Sequence, residues 1–280
     1  MKAYDVIART LGAKPDPAST RWVDAGPMRH YRLSSSIGLA GCFVCLGGAL
    51  FSLPGSVQLA GLGLGVACMV VREIGRRSFR RRLAETLDTA CDPVLFCRRH
   101  LALLAYGRPM GGYVQGIWDH AYGLLWQGAW HQAIALMRTL EADLDDPGVL
   151  FVYDSFMADA AFALRDPDKL ASYIAAMRAI PDRKVARAAR LHAAEMEPLR
   201  DLLAYERDGE KARARAIVDE ILADEGLLPI ERVAASLHAA ECCDDAAERA
   251  RLLTFVQERG GTTWCAARAR TMAAAEGAGA

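Results

Sequence analysis

The 280-residue sequence predicts an all-α chain in two parts, a two-helix transmembrane hairpin followed by a stack of α-helical hairpins. Leu33 to Val71 form 39 consecutive positions without a charge. Beyond Arg82, apolar residues recur at helical spacing, with no convincing run of period-two alternation. Clusters of Pro, Gly and Asp break that pattern at intervals. Charge divides the chain at the same place. The totals, 34 basic and 34 acidic, cancel, yet residues 1–82 hold 12 basic and 4 acidic while residues 83–280 hold 22 and 30. An acidic C-terminal body argues against nucleic-acid binding, and 52% hydrophobic content excludes general disorder. The expected organisation is a cytoplasmic segment over 1–32, the hairpin over 33–71 and a basic juxtamembrane linker over 72–91. A helical-repeat domain over 92–274 and a disordered tail over 275–280 complete it.

The charge-free run is too long for one span and suits two, since about 20 residues cross the hydrocarbon. Pro54-Gly55-Ser56 at its midpoint is a natural turn. Helices are therefore expected over Ser35–Leu53 and Val57–Val71. Arg21, Arg29 and Arg32 precede the run, and Arg72, Arg76, Arg77, Arg80, Arg81 and Arg82 follow it, with no charge in the turn. Basic flanks place both termini on the cytoplasmic side of a plasma membrane. The same six arginines are placed to meet anionic lipid, at about 1 kcal/mol per basic residue near the surface. No signal peptide is expected ahead of the run. Cys42 and Cys45 spell C-x-x-C, but without a second ligand pair they read as packing residues. Gly61, Gly63 and Gly65 follow no strand and open no amphipathic helix, so they do not form a phosphate loop. Gly61 and Gly65, one turn apart, instead allow close helix approach.

The body reads as successive helices. Asp92 caps a helix opened by Pro93, in which Val94, Cys97, Leu101 and Leu104 share a face. Tyr113–Gln127 follows, then Gly128, then Trp130–Leu144 with Ile134, Met137 and Leu140 on one stripe. Asp145-Asp146-Pro147-Gly148 ends that helix and opens the next, which carries Val149, Val152, Phe156 and Ala160. Further helices are expected over Lys169–Ile180 and over Lys184–Arg207, where Pro198 predicts a kink or a division. Lys211–Ala223, Pro229–Cys242, Ala246–Glu258 and Thr263–Ala274 complete the series.

Helical pairs begin near residues 113, 149, 184 and 228, intervals of 36, 35 and 44. Such periods mark stacked hairpins that bury their apolar faces on one another. Within Leu124–Met137, LLWQGAWHQAIALM has Gly128 in the turn, Trp130 two residues on, and Ala133-Ile134 where the second helix packs closely. Tyr205–Val218, YERDGEKARARAIV, is a weaker echo with Gly209 in its turn. On these residues the chain resembles the tetratricopeptide repeat family, over roughly Asp92–Ala274 as architecture and over one repeat in residues. Ala121 and Leu124 depart from the glycine and aromatic of the family's first helix. The resemblance implies a tetratricopeptide-like α-α solenoid that binds proteins in a concave groove, and it brings no catalytic residues.

Motif chemistry is sparse. The sequence has no H-E-x-x-H, P-loop, G-x-S-x-G, kinase or EF-hand pattern. Asp119, His120 and His131 are the one grouping that suggests metal or acid–base work. Adjacent Cys242 and Cys243 point apart on a helix, so reduced thiols are expected. Trp118, Tyr122 and Trp126 lie four residues apart on one helix face, as core filling or as anchors of a partner groove.

The function these features predict is a membrane-anchored, non-catalytic adaptor or scaffold on the cytoplasmic face. Its expected partners are other proteins and anionic lipid, without nucleic acid, cofactor, metal or small-molecule substrate. The alternatives are a structural subunit of a larger membrane complex, and a metal-dependent enzyme or enzyme accessory using Asp119, His120 and His131. The Ala- and Arg-heavy composition is that of a bacterial chain.

Overall fold

The structure is a computed structural model that describes residues 2–24, 36–37, 40, 43, 55–105 and 112–279. These residues form thirteen α-helices and one 3-10 helix, with no strand among them. The expected helix Ser35–Leu53 and the Cys42/Cys45 pair lie outside the described residues, apart from isolated helical positions.

Two helices precede the charge-free run, α1 (Ala3–Leu11) and α2 (Pro17–Asp24). Ala3, Val6 and Ile7 sit at helical spacing and are buried against the body, while Gly12 ends α1 at φ +63°. This folded N-terminal segment was not apparent from the sequence.

Helix α3 (Gly55–Asp88) is continuous for 34 residues, through the expected second span and most of the expected linker. Its two ends have opposite surroundings. Leu59, Leu62, Val66, Met69, Val71 and Ile74 are all exposed, Leu59 at 69% and Ile74 at 62%. Phe79, Leu83 and Leu87, two turns further on, are buried in the core. No helix among the described residues is long and apolar enough to cross a membrane. At 1.5 Å per residue, the charge-free part from Gly55 to Val71 runs about 25 Å against a hydrocarbon thickness of about 30 Å.

The body comprises α4 (Pro93–Ala105), α5 (Tyr113–Gln127), α6 (Trp130–Met137, extended by the 3-10 turn Arg138–Asp143), α7 (Pro147–Ala163) and α8 (Pro167–Ala179). After them come α9 (Ala186–Arg207), α10 (Lys211–Ala223), α11 (Pro229–Cys242), α12 (Ala246–Arg259) and α13 (Trp264–Gly279). Consecutive helices pack on each other, as expected of stacked hairpins. The local punctuation explains the joints. Asp146 Oδ1 accepts from the amides of Gly148 and Val149 at 2.7 and 3.2 Å, and Asp166 and Asp245 cap α8 and α12 in the same way. Gly128 ends α5 at φ +86°, where its amide and that of Ala129 close on Leu125 and Leu124 carbonyls. Pro198 neither divides nor ends α9, which runs to Arg207.

The array closes on itself. The main core joins residues of α1 to α7 with residues of α11, α12 and α13, while α8, α9 and α10 belong to two smaller cores that bridge the gap. At the seam the turn after α12 meets the turn before α4. Thr262 donates its amide to the Cys91 carbonyl at 3.0 Å and its hydroxyl to Asp92 Oδ1 at 2.7 Å. Helix α11 lies in the interior. Every residue from Val233 to Ala240 is buried, as befits a helix packed on all sides, and Ala234, Ala235, Ala239 and Ala240 let neighbours approach.

Gly261 marks the tightest point of the seam, at φ +52° with a Cβ position only 2.3 Å from the Cys91 carbonyl oxygen. Gly261→Ala is expected to lower unfolding free energy by about 3 kcal/mol or more, as overpacking adds to backbone strain. Gly12→Ala has a similar φ but open space, so it should cost only about 1 kcal/mol. Denaturant midpoints of the two variants measure the difference, and equal losses would contradict a tight seam.

Candidate functional site

The aromatic stripe of α5 lies at the edge of the main core. Trp118 and Tyr122 stack at 5.1 Å, and Trp126 meets Tyr122 edge-on at 6.2 Å. All three rings pack against the core while keeping part of their surface open.

Carboxylates from three other helices surround Tyr122. Asp159 of α7, Glu231 of α11 and Asp88 at the end of α3 are each half-buried. Burial raises the Tyr122 phenol, and the Asp159, Glu231 and Asp88 charges raise it further. Burial likewise pushes Asp159 up to about 7, with the Glu231 charge adding to it. Neither Asp88 nor Asp159 has an ion-pair partner among the described residues. These carboxylates are therefore costly to ionise beside the aromatic stripe. They come from distant parts of the chain and were invisible from the stripe alone.

Asp119, His120 and His131 do not assemble as a set. His131 stands exposed on α6, while His120 turns into the core and meets His100 of α4, Nδ1 to Nδ1 at 3.3 Å. Asp119 Oδ2 lies 3.9 Å from His100 Nε2, and its Oδ1 accepts from Gln115 at 2.7 Å. Burial lowers His120 to about 4 and holds His100 well below the usual imidazole range, with the His120 and Arg80 charges adding to the latter. Burial raises Asp119, opposed by the Gln115 hydrogen bond. Two neutral imidazoles sharing one proton hydrogen-bond each other, stacked with Phe96 at 5.7 Å from His100. The arrangement satisfies buried polar groups. It brings no nucleophile to the imidazoles.

A second charged cluster was not read from the sequence. Glu206 of α9 with His238 and Glu241 of α11 place one ligand atom each within 4.8 Å of one another. His238 Nδ1 is 2.9 Å from Glu206 Oε1. Arg165, after α7, pairs with Glu241 and lies 3.7 Å from Glu206, and Arg268 of α13 reaches Glu241 at 3.3 Å. Burial raises Glu206, but its bonds to His238 and Arg165 outweigh this and hold it below the usual carboxylate range. A cation here would have to displace the Arg165 guanidinium. The residues already form a compensated ion network joining the ends of α7, α9, α11 and α13.

Among the basic residues after the apolar run, Arg77 pairs with Glu73 at 3.1 Å and Arg81 with Glu85 at 3.0 Å. Arg80 acts electrostatically on His100 and Asp119. Arg82 is exposed and unpaired, and the side chains of Arg72 and Arg76 lie outside the described residues. Cys242 and Cys243 are buried free thiols, with burial first raising Cys242 to about 11. No family model, curated protein or solved structure matches the chain.

The two perturbed clusters titrate with opposite sign. The unfolded state binds a proton at His120 between pH 6.5 and about 4, so its contribution to stability falls as pH drops through that window. Replacing His120 by Phe should abolish a pH-dependent loss of about 3 kcal/mol there. Asp159 binds its proton more tightly when folded, so its penalty grows from about pH 4 and is complete above 7. Asp159→Asn should therefore stabilise the protein at pH 8 by up to about 4 kcal/mol and leave it nearly unchanged at pH 4. Chemical unfolding across pH 4–8 checks both, and parallel pH profiles for the wild type and both variants would contradict both assignments.

Proposed function

We propose that the chain is a membrane-anchored, non-catalytic adaptor whose helical body stands on the cytoplasmic face of a plasma membrane. The observation that carries this reading is helix α3, which leaves a sleeve of large apolar side chains uncovered from Leu59 to Ile74. Soluble monomers rarely expose a contiguous apolar surface of that extent. The same helix continues without a break into the core through Phe79, Leu83 and Leu87, so tether and body form one rigid unit. The reading takes residues 33–71 as a membrane hairpin whose second arm is the apolar half of α3. That arm falls about 5 Å short of the hydrocarbon thickness, a mismatch met by local thinning and by arginine stems reaching to the headgroups. Arg77, Arg80, Arg81 and Arg82 then lie toward anionic lipid.

The adaptor part of the reading rests on the stacked hairpins and the aromatic edge of α5. In this reading the body is a tetratricopeptide-like array, and Trp118, Tyr122 and Trp126 supply rigid anchors for a protein partner. Because α11 fills the interior, this reading places the binding surface at that edge and not in a wide concave groove. The unpaired carboxylates beside it favour a partner segment carrying positive charge.

The full-length protein is expected to pellet with membranes after cell lysis and to resist extraction by high salt and by carbonate. A reporter fused after Ala280 is expected to read cytoplasmic. A monodisperse, detergent-free protein in the supernatant would overturn the anchor, and an external reporter signal would overturn the orientation.

A further inference from the structure

Where α2 docks beside the end of α3 and the start of α4, a crevice of about 400 Å³ opens between the elements. Trp22, Thr86 and Arg99 form its floor, with Arg82, Glu85 and Asp92 at its walls. Arg99 is clamped in place. Its guanidinium lies 4.3 Å above the Trp22 ring, whose centroid is 4.9 Å from that of Phe79. Arg99 Nη1 also donates to Thr86 Oγ1 at 3.0 Å, and Thr86 is buried.

The charges of this crevice do not cancel in pairs. Glu85 is held by Arg81 at 3.0 Å, outside the lining. Asp92 Oδ1 accepts from the Leu95 amide at 3.0 Å and from the Thr262 hydroxyl at 2.7 Å, so it serves the helix cap and the seam. Neither carboxylate forms an ion pair with Arg82 or Arg99. Arg99 is half-buried with only the Thr86 hydroxyl as hydrogen-bond partner, which leaves most of its donor fork unused. Burial accordingly lowers its pKa, opposed by the Asp92 charge. The Asp92 charge acts on Arg99 without contacting it, so the guanidinium keeps free donors that an anion could complete.

We infer that this crevice is a phosphate-binding site, in which Arg99 supplies a fixed planar fork and Arg82 closes over the bound group from the rim. Arginine forks match the spacing of phosphate oxygens and bind them through paired, charge-assisted hydrogen bonds. The floor is preorganised, since aromatic stacking and the Thr86 hydroxyl fix the Arg99 plane before any ligand arrives. Arg82 is exposed, and its side chain has no hydrogen bond or ion pair among the described residues. The phosphate is either a lipid headgroup or a soluble phosphorylated molecule, and the chemistry at the two arginines is the same for both. The site stands whether or not α3 enters a bilayer.

The test uses full-length protein in detergent micelles, titrated with inorganic pyrophosphate by calorimetry. In parallel, it is bound to phosphatidylcholine vesicles with and without phosphatidic acid. Arg82→Ala and Arg99→Lys are each expected to weaken phosphate binding about tenfold, while Arg77→Ala, which removes equal charge away from the crevice, changes it less than twofold. Arg82→Ala breaks no contact in the fold, so a loss in that variant is a loss of the ligand site. Variant-sensitive binding of pyrophosphate assigns a soluble ligand. Variant-sensitive binding confined to phosphatidic acid vesicles assigns a lipid headgroup, and either result supports the site. Equal losses in all three variants, or no saturable binding of either probe, would overturn it. Vesicle association that ignores Arg82 and Arg99 overturns the crevice while leaving the membrane anchor intact.

Discussion

Helix α3 carries two kinds of surface along one uninterrupted hydrogen-bonded rod. Its last three turns place Phe79, Leu83 and Leu87 into the protein core, where burying side chains of this size contributes roughly 1.5–3 kcal/mol each. Its first half presents apolar side chains of similar size to nothing in the described body. The transition falls at the arginine-rich stretch, where Arg77 and Arg81 are steadied by Glu73 and Glu85 four residues away. Because no break separates the halves, whatever covers the first half fixes the orientation of everything packed on the second.

The body that α3 joins is a closed array. An open row of hairpins would bury each pair only on its neighbours, but here the first and last helices share a core and α11 sits inside. Closure leaves three local consequences. Small residues crowd α11, a glycine at φ +52° fills the seam, and the ends of α7, α9, α11 and α13 are joined through Arg165 and its carboxylates. It also leaves the α5 aromatics and the Arg99 crevice at the margins.

Local elements were legible where punctuation was sharp. Tyr113–Gln127, Lys211–Ala223 and Pro229–Cys242 match α5, α10 and α11 end to end, since Gly128, Gly209 and Pro229 fix boundaries through backbone geometry. The 3-10 turn after Met137 was read as continued α-helix because Leu140 keeps the stripe in phase in either form. Closure could not be read, because Cys91 and Thr262 meet across some 170 residues and neither belongs to a periodic pattern. The same limit applies to the sites. The α5 stripe is a local repeat and was visible, whereas the His100 partner of His120, the Asp159 and Glu231 charges, and the Trp22 clamp on Arg99 arise only from tertiary packing. The helix α1, short and built on Val6 and Ile7, was overshadowed by the strong apolar signal that follows it.

The account rests on lipid covering the first half of α3. Spin labels placed singly at Leu62, Val66 and Ile74, with Arg81 as an aqueous reference, measure this directly by the relative access of oxygen and a water-soluble relaxer in reconstituted vesicles. The expected result is high oxygen access at Leu62 and Val66, falling toward Ile74 and reversed at Arg81. Equal access of the water-soluble relaxer at all four positions would contradict it.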